Sequence, residues 1–137
     1  MTDLNALIAE LKLPVALDTE QAWQSALRLV LPRVLPVMLH RQIPGRHEQA
    51  GGGWMTGAPV GAADLSGWAR GGLRVELEAK YGRGSLRPEQ RRWMGVCRTW
   101  GVLYLVLRYE VESDLRGNLI ASITTLSTAL AERGVRS

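Results

Sequence analysis

Hydrophobic positions along the chain follow a helical period first, then an alternating one. From Asp3 to Lys12, Leu4, Leu7, Ile8 and Leu11 recur at three- and four-residue steps, which predicts a short helix that Pro14 ends. Asp18 then offers an N-cap, with Gln21 in the capping-box position and Glu20 in the first turn. Trp23, Ala26, Leu27 and Val30 form an apolar stripe, so a second helix is expected to about Leu31, where Pro32 stops it. Residues 37–42, between Pro36 and Pro44, read as a strand. Residues 49–61 hold five glycines and a proline and are expected to form a loop, with Gly51-Gly52-Gly53 as a flexible lid.

The period then shortens to two. Leu73, Val75, Leu77 and Ala79 face one way, and Arg74, Glu76, Glu78 and Lys80 the other, which predicts a strand over 73–80. Residues 63–69 form a second extended segment, joined to the first through Arg70-Gly71-Gly72. A turn over 81–85 leads to Pro88, suited to the first position of a helix that carries Trp93, Val96, Cys97 and Trp100 and ends at Gly101. The continuous apolar run 102–107 has the look of a central buried strand. Leu119, Ile123, Leu126 and Leu130 place a last helix over 115–133. The order is two helices, three strands, a helix, a strand and a helix. An α/β fold follows, with a mixed sheet of about four strands flanked by helices, in one domain of 137 residues.

Composition narrows the chemistry. A single cysteine, Cys97, excludes an intramolecular disulfide and a thiolate zinc site. No apolar run reaches transmembrane length, and the first residues lack the basic-then-apolar order of a signal peptide, so a cytoplasmic protein is expected, neither secreted nor membrane-bound. The net charge is +4, and fifteen of the 17 basic residues are arginine. Arg28, Arg33, Arg41 and Arg46 lie in an acid-free stretch, and Arg83, Arg87, Arg91, Arg92 and Arg98 accompany Glu89 alone. This suits a polyanion partner without requiring one. His40 and His47 lack a third nitrogen or thiolate at metal-ligand spacing, and the triglycine lacks the lysine of a phosphate loop, so no nucleotide cofactor is expected.

Glu78 and Lys80 share a strand face, which for an isolated Glu-x-Lys means a solvated ion pair. Register decides whether Asp64 joins them. A two-residue Gly71-Gly72 loop would set Asp64 against Ala79, pointing away. A three-residue loop would set it directly against Glu78, pairing Leu65 with Leu77 and Ser66 with Glu76, and Gly72 suits the left-handed position that ends such loops. Facing carboxylates roughly 4.5–5.5 Å apart at Cβ repel. A divalent cation between them removes the conflict, and hard oxygen ligands with retained waters describe magnesium.

Asp64, a hairpin, and then Glu78-Ala79-Lys80 resemble the PD-(D/E)xK nuclease signature. The following Gly82-Arg83-Gly84-Ser85-Leu86-Arg87-Pro88-Glu89-Gln90 is similar to the Gly-Arg-Leu-Ser-x-x-Gln stretch of the VRR-NUC branch. The resemblance covers roughly residues 19–108, with 109–137 as a helical extension, and Ala63 stands where the family usually has proline. It implies a restriction-endonuclease-like core (α-β-β-β-α-β) with extra helices at both ends. By the same resemblance, Asp64, Glu78 and the Ala79 carbonyl would bind Mg²⁺ (Mn²⁺ as substitute), and Glu20 would be a further outer or direct ligand. Lys80 would orient or activate the attacking water and Gln90 would support the site. Arg41-Gln42 sits where the family often has a polar pair. The activity implied is phosphodiester hydrolysis in DNA, with Arg41, Arg46, Arg83, Arg87 and Arg91 on the phosphate backbone and little base specificity. Standalone members are resolvase-like enzymes for branched or Holliday-junction DNA, often homodimeric and phage-encoded. Two other readings stand beside it: a non-catalytic nucleic-acid-binding or assembly module that keeps the fold, and a structural domain with an accidental motif.

Overall fold

In a computed structural model, which describes residues 3–136 apart from the side chains of 46–48, 55 and 56, helices cover both faces of a four-stranded mixed sheet. The chain runs α1 (Leu4–Glu10), α2 (Glu20–Val34), β1 (Val37–Arg41), β2 (Arg46–Glu48), β3 (Trp54–Thr56), β4 (Leu65–Ala69), β5 (Arg74–Tyr81), α3 (Pro88–Thr99), β6 (Leu103–Tyr109) and α4 (Leu115–Glu132). The sheet order is β1-β4-β5-β6, with β5 and β6 parallel and the other pairs antiparallel. β6 is thus an edge strand, not the central one its apolar run suggests. It is apolar because α3 covers one face, through Cys97, and α4 the other, through Leu115 and Leu119.

Helix ends differ from expectation for local reasons. Thr19, not Asp18, caps α2, its hydroxyl accepting from the Ala22 N–H at 3.1 Å. The helix also runs through Pro32 to Val34. Proline so near the end forfeits one intrahelical bond, to the carbonyl of exposed Arg28, and Leu35 N–H still closes the last turn on Leu31 at 2.9 Å. The segment expected to be a loop, residues 49–61, instead supplies the tip and second strand of a hairpin, β2 against β3, whose tip uses positive φ at Gly52 and Gly53. These glycines turn the chain tightly enough for Gln49 N–H to reach the Gly53 carbonyl at 2.9 Å.

The β4–β5 hairpin takes the three-residue loop. Leu65 faces Leu77, Ser66 faces Glu76, and both Gly71 and Gly72 have positive φ. One face of the sheet carries Leu65, Val75, Leu77, Ala79 and Leu107, which form the main core with Trp23, Leu27, Val30 and Leu31 of α2. α4 is no appendage, because Leu115, Leu119, Leu126 and Leu130 lie in that same core. Tyr109 links the layers, its ring 5.3 Å from Trp23 edge-on and 5.2 Å from Tyr81 in a stack. Among the described residues no helix is long and apolar enough to cross a membrane.

Candidate active site

The opposite face of β5 carries Glu76, Glu78 and Lys80, and it is not a solvated face. α3 roofs it, packed against Tyr104 and Val106 on the neighbouring β6, leaving Glu78 1% and Lys80 6% exposed. Asp64 stands one residue before β4, where the ladder stops. Its Oδ2 accepts the Ala79 N–H at 3.0 Å, while Gln42 Nε2 donates to the Ala63 carbonyl at 3.0 Å. In an extended strand a residue's N–H and C=O project to the same side, so the Ala79 carbonyl also faces Asp64.

The two carboxyl groups lie close enough for the charge of Asp64 to act on Glu78. Burial first and the nearby Asp64 carboxyl second raise Glu78 to about 8, against a downward pull from Lys80 and with a weak upward push from Glu20. Without a cation, Glu78 therefore holds a proton more readily than an ordinary carboxyl. Gln90 ties the rest together: its Nε2 donates to Glu78 Oε1 at 3.0 Å, and its Oε1 accepts from Lys80 Nζ at 3.1 Å and Arg87 N–H at 2.9 Å. Lys80 Nζ lies 3.9 Å from Glu78 Oε1. The last of Gln90's bonds is half of a capping box, so the residue that starts α3 also fixes the site. Gly61 seats α3 against the Asp64 loop. With φ at +88°, it passes so close that a Cβ would lie 2.2 Å from the Glu89 carbonyl oxygen.

Two buried side-chain oxygens have no hydrogen-bond partner among the described residues, Glu78 Oε2 and the Tyr104 hydroxyl. An orphaned carboxylate oxygen beside a second carboxylate and a carbonyl edge is a donor set for a hard divalent cation, and magnesium needs only one or two carboxylates. Asp64, Glu78 and the Ala79 carbonyl fit such an ion. Glu20 is exposed at the start of α2, near enough for its charge to push Glu78 up weakly, and among the described residues no three Asp, Glu, His or Cys side chains gather to hold a metal.

Several site-face groups are not conspicuous in the sequence. Tyr104 sits inside an apolar run, and only its register opposite Glu76 shows that it faces the carboxylates. Burial raises its phenol above the usual range, and the charge of Glu78 raises it further. Glu76 accepts Trp93 Nε1 at 2.7 Å, Gln42 Nε2 at 3.1 Å and Arg74 Nη2 at 3.2 Å. Arg108 donates to the carbonyls of Gly82 and Gly84, pinning the turn that carries Arg83. Arg83, Arg87 and Arg91 are exposed around the start of α3, with Arg87 Nε 3.0 Å from Glu89 Oε1. Arg41 pairs with Leu65, so the register puts it on the core side of the sheet. Gln42, the next residue, reaches the carboxylates. The side chain of Arg46 lies outside the described residues, as does that of His47. Cys97 is buried beside Tyr104, as its apolar helix face suggests.

No family model matches the chain, and neither a curated protein nor a solved structure does.

Proposed function

We propose that this chain is a divalent-metal-dependent phosphodiesterase that cuts DNA. The carrying observation is the pairing of half-buried Asp64 with buried Glu78, with Glu78 Oε2 left without a partner and Lys80 and Gln90 locked beside it. Two facing carboxylates destabilise a sheet, and a catalytic cation site is the use that gives them a purpose. The element order and the Asp64…Glu78-Ala79-Lys80…Gln90 constellation favour a restriction-endonuclease-like core of the VRR-NUC kind. Magnesium or manganese, when bound, supplies positive charge to a phosphoryl oxygen and acidifies water.

The chain's own residues do the rest. Asp64 and Glu78 hold the negative charge that recruits the cation. Lys80 keeps its ammonium fixed through Gln90, where it can donate to the attacking water or to the scissile phosphate. Exposed Arg83, Arg87 and Arg91 flank the site and hold the backbone without reading bases. In this reading the enzyme is a homodimer in the cell interior that makes paired cuts in branched or junction DNA. The test is incubation of purified protein with linear, flap and four-way-junction DNAs in Mg²⁺, Mn²⁺ or EDTA. Cation-dependent cleavage, lost in Lys80→Ala, is the expected result. Binding without cleavage in every cation would leave the non-catalytic module.

A further inference from the structure

On the same roofed face, toward the start of β5 and the end of α3, lies a cavity of about 220 Å³. Trp93, Val96, Trp100 and Val102 wall it, with Arg74 and Glu76 at its polar side. Glu76 is two residues from Glu78 on one strand, so the cavity begins about 7 Å along the strand from Glu78. Trp100 is 81% exposed and Val96 44%, an apolar lip at the end of α3 on which the described residues place no cover.

We propose that this cavity takes one unpaired base of single-stranded DNA next to the cut phosphate. The proposal rests on the phosphodiesterase reading for its substrate. Its size is below the 300–1,000 Å³ of drug-sized ligand sites, and suits a single planar ring system. Trp93 is prepared for such a guest. Its indole N–H is fixed on Glu76 at 2.7 Å, and that carboxylate is also held by Gln42 and Arg74, so the ring is ordered before anything binds. Arg74 neutralises Glu76 at 3.2 Å, which keeps an anionic backbone from being repelled. Arg74 also lies 5.5 Å over the exposed ring of Trp68 on β4, which extends the aromatic surface along the face. Aromatic rings beside a cationic track are how single strands are bound without sequence preference. A duplex end keeps its bases stacked and has none to offer, so the cavity would favour substrates with an unpaired nucleotide.

The test measures binding in EDTA, where no cleavage occurs, of wild type, Trp100→Ala and Trp100→Phe to a single strand, a flap and a blunt duplex of equal length. A second series places one abasic nucleotide at successive positions of the flap. Removing one stacked base weakens binding by roughly 5- to 150-fold. Trp100→Ala should lose that much on single strand and flap but little on duplex, Trp100→Phe should recover most of it, and one abasic position should mimic it. Equal affinity of Trp100→Ala and wild type for all three DNAs would overturn the proposal. So would a Trp100→Ala protein that sediments as a smaller species with unchanged base dependence, which would make the lip a contact between copies of the chain. Cleavage is read separately. Metal-dependent cutting without the Trp100 effect rejects the cavity alone, and the Trp100 effect without cutting in any cation rejects the phosphodiesterase reading alone.

Discussion

Glu78 concentrates the electrostatics of the site. Its folded carboxyl titrates near 8 rather than at the ordinary 4.5, through burial first and Asp64 second. A raised folded pKa makes the folded state the better proton binder. The stability this group contributes is therefore complete below about 4.5 and lost as pH rises to about 8. In EDTA the melting temperature of the wild type should fall across that window relative to Glu78→Gln, as thermal unfolding followed from pH 4.5 to pH 8 would show. Adding Mg²⁺ should reverse the trend, because the cation needs the deprotonated carboxylate and its binding releases a proton. Asp64→Asn should lower cation affinity yet raise the melting temperature in EDTA. Its amide oxygen can keep the Ala79 N–H, and its amide nitrogen can donate to the orphaned Glu78 Oε2. Lys80→Ala should abolish cleavage and also cost about 1–3 kcal/mol in chemical denaturation, since this lysine is buried against Gln90 rather than solvated.

At the scale of elements, α3 is the part that turns a strand pair into a site. It enters on Pro88, caps itself through Gln90, and by the same side chain links Lys80 to Glu78. Gln90→Ala should therefore lower cleavage and remove about 1 kcal/mol of helix capping, measured by denaturation beside a nuclease assay. Gly61 acts from the other side. Gly61→Ala combines a positive φ with a Cβ 2.2 Å from the Glu89 carbonyl, so the Asp64 loop must lift off α3. The expected result is a stability loss of roughly 1–3 kcal/mol and a larger fall in kcat than in DNA affinity.

For the whole molecule, the distribution of arginine makes the testable pattern. Arg83, Arg87 and Arg91 are exposed around the start of α3, whereas Arg41, also exposed, lies at the end of β1 with its register on the opposite face of the sheet. On duplex DNA, an arginine that neutralises a phosphate contributes about 0.9 to the slope of log K against log [salt], and its removal should flatten the slope by that amount. Arg83→Ala and Arg91→Ala should show that change and Arg41→Ala should not. Arg91 and Arg92 are consecutive on α3 and diverge by about 100°, so their alanine variants should differ in slope. Equal, wild-type slopes for Arg83, Arg87, Arg91 and Arg92 would move the DNA path away from α3.

Local rules made much of this protein readable from its residues. The apolar periods place α1, α2, β5, α3 and α4, and the glycines after Arg70 allow either hairpin loop, of which the structure takes the three-residue one that sets Leu65 against Leu77. That pairing agrees with alternation, because a one-residue slip would turn every side chain over. What only the tertiary structure decides is depth and neighbourhood. An Arg-Glu-Glu-Lys strand face reads as solvated until α3 folds over it, and an apolar run reads as central until helices are seen covering an edge strand from both sides. Tyr104, Gln42 and Trp93 join the carboxylates through contacts between residues distant in the chain, as Trp93 does with Glu76 across 17 positions. Such contacts leave no period in the sequence, because they depend on how helix and sheet stack, which the whole core determines at once.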